Sequence, residues 1–230
     1  MENTQAYGPG AVQEKSMRRV HLCVALAAMV LAAGCANPER SRDFGNPDVT
    51  AVTMAQQVCS NCHGVTGNAV SPNFPNLAGQ VEAYTVAQLS EFRGKSRQDP
   101  AGFEYMWGLS RHLTDEQIKG LGEYYAKQQP VRQPMEGDAS RLPAGKTLFE
   151  MGIAANGVPA CATCHGPEGQ GNATFPRIAG QHSDYVVKQL NVFQRTDERP
   201  DGSVMKVVAH GLTSEDIQNV AAFLQTLPNQ

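Results

Sequence analysis

The pentapeptide Cys59-Ser60-Asn61-Cys62-His63 recurs as Cys161-Ala162-Thr163-Cys164-His165, and this recurrence narrows the folds open to the 230-residue chain more than any other feature. Two cysteines with two residues between them share one face only on a helical turn. On such a turn each thiol can add across one vinyl group of a porphyrin. The next residue, a histidine, then falls under the iron as its proximal ligand. Two other readings fit less well. A structural zinc site takes four nitrogen or sulfur ligands, and each pentapeptide gathers only Cys, Cys and His. A thioredoxin-like thiol pair has no use for the histidine and sits in a βαβ pattern, which this sequence lacks. Two haem c groups are therefore expected. Cys59 and Cys62 would hold one through thioethers and Cys161 and Cys164 the other, with His63 and His165 on the irons.

The pentapeptides sit inside a longer internal duplication. Phe74-Pro75-Asn76-Leu77-Ala78-Gly79-Gln80 is followed by Tyr84 and then Gln88-Leu89; Phe175-Pro176-Arg177-Ile178-Ala179-Gly180-Gln181 is followed by Tyr185 and then Gln189-Leu190. Met106 stands seven residues before Leu113-Thr114, and Met205 seven before Leu212-Thr213. Each Leu-Thr opens an amphipathic stretch, 115–128 and 214–227. In these, Ile118, Leu121, Tyr124 and Tyr125 match Ile217, Val220, Phe223 and Leu224 at helical spacing. Thr114 with Gln117 reads as a capping box, and Thr213 with Asp216 as a weaker one because aspartate is shorter. No alternating β-branched run is long enough for a sheet. The expected fold is mostly α: two tandem helical domains, 35–127 and 144–230, each enclosing one covalent haem. Residues 128–143, with Pro130, Pro134, Gly137 and Pro143 among polar neighbours, form the linker. Domains this small bury little core of their own, so neither half should fold properly without its macrocycle.

A closed iron site needs a second axial ligand. Met106 and Met205 are the candidates, because they share one offset from the last helix of their half. A thioether ligand favours the reduced iron and raises the potential relative to a second imidazole. Met54, Met135 and Met151 have no such repeat relation. His112, His182 and His210 are not equivalent by repeat and read as surface or loop histidines, which leaves bis-histidine ligation as the alternative. Pro75 and Pro176 open loops whose freed backbone carbonyls could accept the Nδ1–H of His63 and His165, fixing each ring and strengthening it as a ligand. Tyr84, Tyr185 and Trp107 could line the haem pockets, although aromatics at such spacings commonly serve as core.

Near the N-terminus, Met17-Arg18-Arg19-Val20-His21 and the apolar stretch Leu22 to Gly34 form a charged region followed by a short hydrophobic one. That stretch is too short to span a bilayer. It ends Leu31-Ala32-Ala33-Gly34-Cys35, which resembles a bacterial lipoprotein signal with cleavage before an acylated Cys35; the alternative is an ordinary signal cut near Ala36. Residues 1–34 are thus read as a non-native extension plus a signal peptide, with Met17 as the start. Of the six cysteines, Cys23 lies in the signal and Cys35 at its end; the other four belong to the pentapeptides, so none remains for a disulfide. Formal net charge is −3, which argues against nucleic acid and against a polybasic membrane surface.

From Val58 to the C-terminus the chain resembles the dihaem cytochrome c4 family. The resemblance is carried by both Cys-x-x-Cys-His-Gly motifs, both Phe-Pro-x-[Leu/Ile]-Ala-Gly-Gln segments, the Tyr-x-x-x-Gln-Leu stretches, and the methionines ahead of the last helices. It implies two cytochrome-c-like domains with His/Met haems whose propionate edges face each other across a pseudo-twofold interface. It further implies a periplasmic electron carrier, not an enzyme, moving electrons from a quinol-oxidising complex to a terminal oxidase. Cys35 adds a lipid anchor on the membrane of a Gram-negative bacterium. The first half lacks the Gly-x-x-x-Phe that the second carries as Gly145 and Phe149; Val49, Val52 and Met54 are expected to replace it. Two alternatives stay open. One is the cytochrome subunit of a larger oxidoreductase such as a flavocytochrome sulfide dehydrogenase. The other is a dihaem peroxidase, which would need an open iron.

Overall fold

The computed structural model describes residues 45–132, 134, 137–195, 197–199 and 202–228, all within one compact unit, Glu39–Gln230. The signal-like stretch, Cys35 and Met135 lie outside the described residues. Among those residues the fold is helical, with only isolated bridges at Ile153–Val158 and Asn172–Phe175. None of the described helices is long and apolar enough to cross a membrane.

The first half begins with α1 (Ala51–Met54), a π-helical turn (Ala55–Cys59) and α2 (Ser60–His63). Helix α3 (Glu82–Gly94) follows the haem-side loop, and α4 (Pro100–Gly102) leads into a second π-helical turn (Phe103–Trp107) and α5 (Gly108–Ser110). Helix α6 (Asp115–Ala126) closes this half. A 3-10 turn (Ala139–Arg141) and α7 (Leu142–Met151) open the second half. Then come a 3-10 turn (Ala154–Asn156), α8 (Ala162–His165), α9 (Ser183–Arg195), α10 (Ser203–His210) and α11 (Ser214–Thr226).

Each half has its own core. Val49, Met54, Ala55, Leu113, Ile118, Leu121 and Tyr125 pack together in the first. Leu148, Phe149, Val158, Val186, Leu190, Leu212, Ile217, Val220, Ala221 and Leu224 do so in the second. The helical pattern expected for α6 and α11 is present: Ile118, Leu121 and Tyr125 are buried, as are Ile217, Val220 and Leu224, while Tyr124 and Phe223 flank their cores. Both capping boxes close. The shorter Asp216 serves as well as Gln117, since Thr213 N–H donates to its carboxylate at 2.9 Å and Asp216 N–H donates back to Thr213 Oγ1 at 3.1 Å.

The expectation for the first helix needs correction. Val49 and Met54 are buried and Ala55 joins them, but Val52 is 47% exposed and does not share the role. What replaces Gly145 lies on the other helix. In the second half, a Cβ on Gly145 of α7 would stand 2.0 Å from the Asn219 carbonyl oxygen of α11. In the first half, a Cβ on Gly120 of α6 would stand 2.6 Å from Ala51 Cβ of α1. Both halves therefore cross their first and last helices at a glycine, carried by opposite partners.

Candidate haem sites

Each pentapeptide occupies one helical turn that ends at a glycine of positive φ. Gly64 (φ 74°) follows His63 and Gly166 (φ 86°) follows His165, and a Cβ on either would press on residue 68 or 170. That conformation reverses the chain, so the loop that follows returns toward the histidine. His63 Nδ1 lies 2.9 Å from the Pro75 carbonyl oxygen, and His165 Nδ1 lies 2.8 Å from that of Pro176. A carbonyl cannot donate, so Nδ1 carries the proton in both rings and Nε2 is the unprotonated nitrogen. Burial pulls both imidazoles below their ordinary pKa, with the proline carbonyls opposing the fall. Each ring is thus the neutral, oriented imidazole that an iron ligand must be.

Burial pushes the Cys59 thiol up to about 11, against a lowering contact with Tyr125, and pushes Cys161 likewise to about 11. All four thiols of the pentapeptides are free and half-buried. Phe74 meets the His63 ring edge-on at 6.1 Å, and Phe175 meets His165 in the same way at 6.1 Å. Large apolar side chains stand exposed in both halves: Phe103 and Tyr105 in the first, with Tyr105 edge-on to Phe74, and Phe175, Val204 and Val207 in the second. Two thiols, a neutral imidazole with a free Nε2 and an apolar surface without a cover are the requirements of a thioether-bound haem. The residues present therefore fit the group.

Met106 is half-buried in the π-helical turn Phe103–Trp107, and Met205 is half-buried against the second core in α10. A π-helical turn offsets the side chains that follow it and recurs at functional sites. Among the described residues the second half has no counterpart to it, so the two methionines sit on differently wound helices. Trp107 stacks on Phe103 with centroids 5.9 Å apart, and Lys95 Nζ lies 4.2 Å from the Trp107 centroid.

His112 and His210 are exposed, as expected. His182 is not a surface residue. It is 4% exposed, and its Nε2 reaches the Ala69 carbonyl of the other half at 2.9 Å. Tyr84 also belongs to the boundary between halves, where its hydroxyl accepts from Arg199 at 3.2 Å.

That boundary holds the polar residues whose role the sequence concealed. Gln88 and Gln189 are buried, and each side-chain oxygen accepts from both arginines of a central pair. Arg97 donates to Gln88 at 2.5 Å and to Gln189 at 3.4 Å; Arg199 donates to Gln189 at 2.5 Å and to Gln88 at 2.9 Å. Each guanidinium also lies over a phenylalanine of its own half, Arg97 on Phe92 and Arg199 on Phe193. Asp99, 1% exposed, accepts from Arg97 Nε at 2.6 Å. Burial alone would raise its carboxyl; the Arg97 bond and the charges of Arg97 and Arg199 override that and hold it below its ordinary value. Farther out, Gln80 and Gln181 each grip the backbone of the opposite half. The one sequence signal for all of this was glutamine repeated in apolar company, in Ala-Gly-Gln and in Gln-Leu.

The family model described as cytochrome c matches this chain twice, at residues 51–128 and 143–228. The chain is 36% identical over 189 residues to cytochrome c4 of Azotobacter vinelandii, covering 78% of this chain and 89% of that one. The solved cytochrome c4 structure from Acidithiobacillus ferrooxidans superposes with a TM-score of 0.68 at 36% identity, covering 74% of this chain and 98% of that one. A protein of Thiomonas intermedia named thiosulfate dehydrogenase electron acceptor is 31% identical over 174 residues, covering 74% of this chain and 78% of its own.

Proposed function

The chain belongs to the dihaem cytochrome c4 family and carries two haem c groups, and on that footing we propose that it is a periplasmic electron carrier held at the membrane by a lipid on Cys35. The observation that carries the reading is the pair of oriented histidines, each with its Nδ1 proton on a proline carbonyl and its Nε2 free. A haem c, when bound, supplies an iron that takes up and gives back one electron. The chain's own residues do the rest. Cys59, Cys62, Cys161 and Cys164 tether the macrocycles, so that cofactor loss does not compete with turnover. His63 and His165 are the proximal ligands, and Pro75 and Pro176 fix their rings and raise their basicity. Met106 and Met205 would supply the second ligand to each iron; with both ligand places taken by side chains, a substrate would find no open position, which is why a carrier is favoured over a dihaem peroxidase. The electron enters from a quinol-oxidising complex and leaves to a terminal oxidase. Anchoring at Cys35 raises the effective concentration of the carrier beside such membrane complexes.

One observation favours a second reading of the donor. The similarity to the electron acceptor of a thiosulfate dehydrogenase makes a sulfur-compound oxidoreductase an alternative source of electrons, in line with a cytochrome subunit of a larger enzyme. Reduction of the purified carrier by a quinol-oxidising membrane fraction, set against reduction by a thiosulfate- or sulfide-oxidising enzyme, tests this choice. Fast reduction by the first alone supports the respiratory assignment, and fast reduction by the second alone replaces it. The anchor is tested by detergent phase partitioning of the wild type and Cys35→Ser. Retention of the wild type and loss of the variant from the detergent phase support acylation; an unmodified N-terminus beyond Cys35 overturns it.

A further inference from the structure

The peptide group joining Pro75 to Asn76 makes two hydrogen bonds in opposite directions. Its carbonyl accepts the Nδ1 proton of His63 at 2.9 Å, within the first half. Its N–H donates to Gln181 Oε1 at 2.8 Å, across the boundary. The peptide group joining Pro176 to Arg177 repeats this with the halves exchanged. Its carbonyl accepts from His165 at 2.8 Å, and its N–H donates to Gln80 Oε1 at 2.7 Å. From this geometry we infer that Gln80 and Gln181 are positioning residues for the opposite haem, and that each tunes the potential of that haem through a single peptide group.

The physics is hydrogen-bond cooperativity. A peptide whose N–H is bound becomes more polarised and its carbonyl a better acceptor. A better acceptor draws the Nδ1 proton of the histidine further away from the ring, which makes the free Nε2 more basic. A more basic axial nitrogen stabilises the ferric over the ferrous state and lowers the potential. Gln181 therefore lowers the potential of the haem bound by His63, and Gln80 that of the haem bound by His165.

Both glutamines are held for the task. Each is buried, and each side-chain oxygen also accepts from the next residue in sequence, Val81 N–H at 2.9 Å or His182 N–H at 3.1 Å. Each side-chain nitrogen donates to the carbonyl of the residue it grips: Gln80 to Arg177 at 3.0 Å, and Gln181 to Asn76 at 3.1 Å. The amide orientation is thereby fixed. The link into the first half has further support. Asn76 Nδ2 donates to the Gly180 carbonyl at 2.9 Å, and the Nε2 of His182 pairs with the Ala69 carbonyl of the same loop at 2.9 Å.

The inference rests on His63 and His165 being axial ligands. The reduced wild-type holoprotein reports on that by itself: iron-bound histidines have ring protons shifted far upfield by the porphyrin. Their absence would sink the ligand assignment before any glutamine is changed. Gln181→Met keeps the side chain's length and removes the acceptor. It should move the His63 Nδ1–H resonance upfield and raise the potential of the first haem, while the second haem keeps its potential. Gln80→Met should do the reverse. Gln181→Glu keeps an acceptor for Asn76 N–H, and its ionised carboxylate should leave the first potential unchanged or lower it. If each glutamine shifts only the haem of its own half, or both haems equally, the inference is wrong and the residues merely hold the halves together. Should the variants fail to fold, amide exchange in the unaltered holoprotein still tests it. Asn76 and Arg177 N–H should be strongly protected, and exchange as fast as that of exposed loop amides overturns the inference.

Discussion

His63 and His165, the proposed iron ligands, show how much of a ligand's state is set by other residues. Burial disfavours the charged ring, and a carbonyl two turns of loop away selects the tautomer. Pro75 and Pro176 were expected in that position from the sequence because a proline-led loop leaves its carbonyls outside any helix, and the structure brings both within hydrogen-bond reach. His182 was not legible as an interface residue. Nothing in a single chain's pattern distinguishes a buried histidine with a partner over a hundred positions away from an exposed one. At this scale the proposed distal ligands, Met106 and Met205, give the clearest prediction. Met106→His should lower the potential of the first haem and Met205→His that of the second, because a second imidazole favours the ferric iron. Each should also remove about half of the weak red-edge absorption of the oxidised protein that marks thioether ligation. A redox titration followed across the visible spectrum checks both. If a substitution leaves the band and both potentials unchanged, that methionine is only packed, and exposed His112 or His210 becomes the next ligand to test.

Helices α6 and α11 were legible almost residue for residue, since apolar spacing and a threonine cap are local signals. The crossing of first and last helices was only half legible. A glycine is needed where two backbones approach, but either partner can supply it. A search for Gly145's counterpart on the first helix misses Gly120, which stands on the last. The two π-helical turns were also invisible, because an added residue in a turn leaves no compositional trace. Two predictions belong here. Gly145→Ala puts a methyl against the Asn219 carbonyl of α11 and should destabilise the protein by about 1–3 kcal/mol, the usual range for overpacking. Thr213→Ala removes the hydroxyl that accepts from Asp216 N–H and donates to the Asp216 carboxylate, and should cost about 1 kcal/mol. Urea unfolding of the holoprotein reports both. A Gly145→Ala midpoint equal to that of the wild type would show that α7 and α11 have room to separate.

Across the whole molecule, duplication explains why one interface can serve two sites. The same repeat supplies Gln80 and Gln181, Gln88 and Gln189, and each of these glutamines accepts hydrogen bonds from the opposite half. The sequence showed the repeat but not that its glutamines point outward to the other copy, because pairing between halves is not a local property. The central arginines depend on Asp99, which sets a pH dependence. Its folded pKa lies below its unfolded value, so its contribution is complete above the ordinary carboxylate range near ~4 and is lost as pH falls through the depressed folded value. Asp99→Asn leaves Arg97 buried without its carboxylate. It should cost about 3 kcal/mol at neutral pH and flatten the acid side of the stability profile. A variant with the wild-type acid limb would show that other carboxylates set it. The central claim is that this chain moves electrons over two closed, thioether-bound haem irons. Its most direct test is one potentiometric titration of the purified protein, followed from the Soret to the red edge. The account predicts two one-electron steps, low-spin spectra in both states and a red-edge ferric band worth two methionine-ligated haems. A single step carrying one haem, or a high-spin ferric spectrum from an iron with a vacant position, would contradict it.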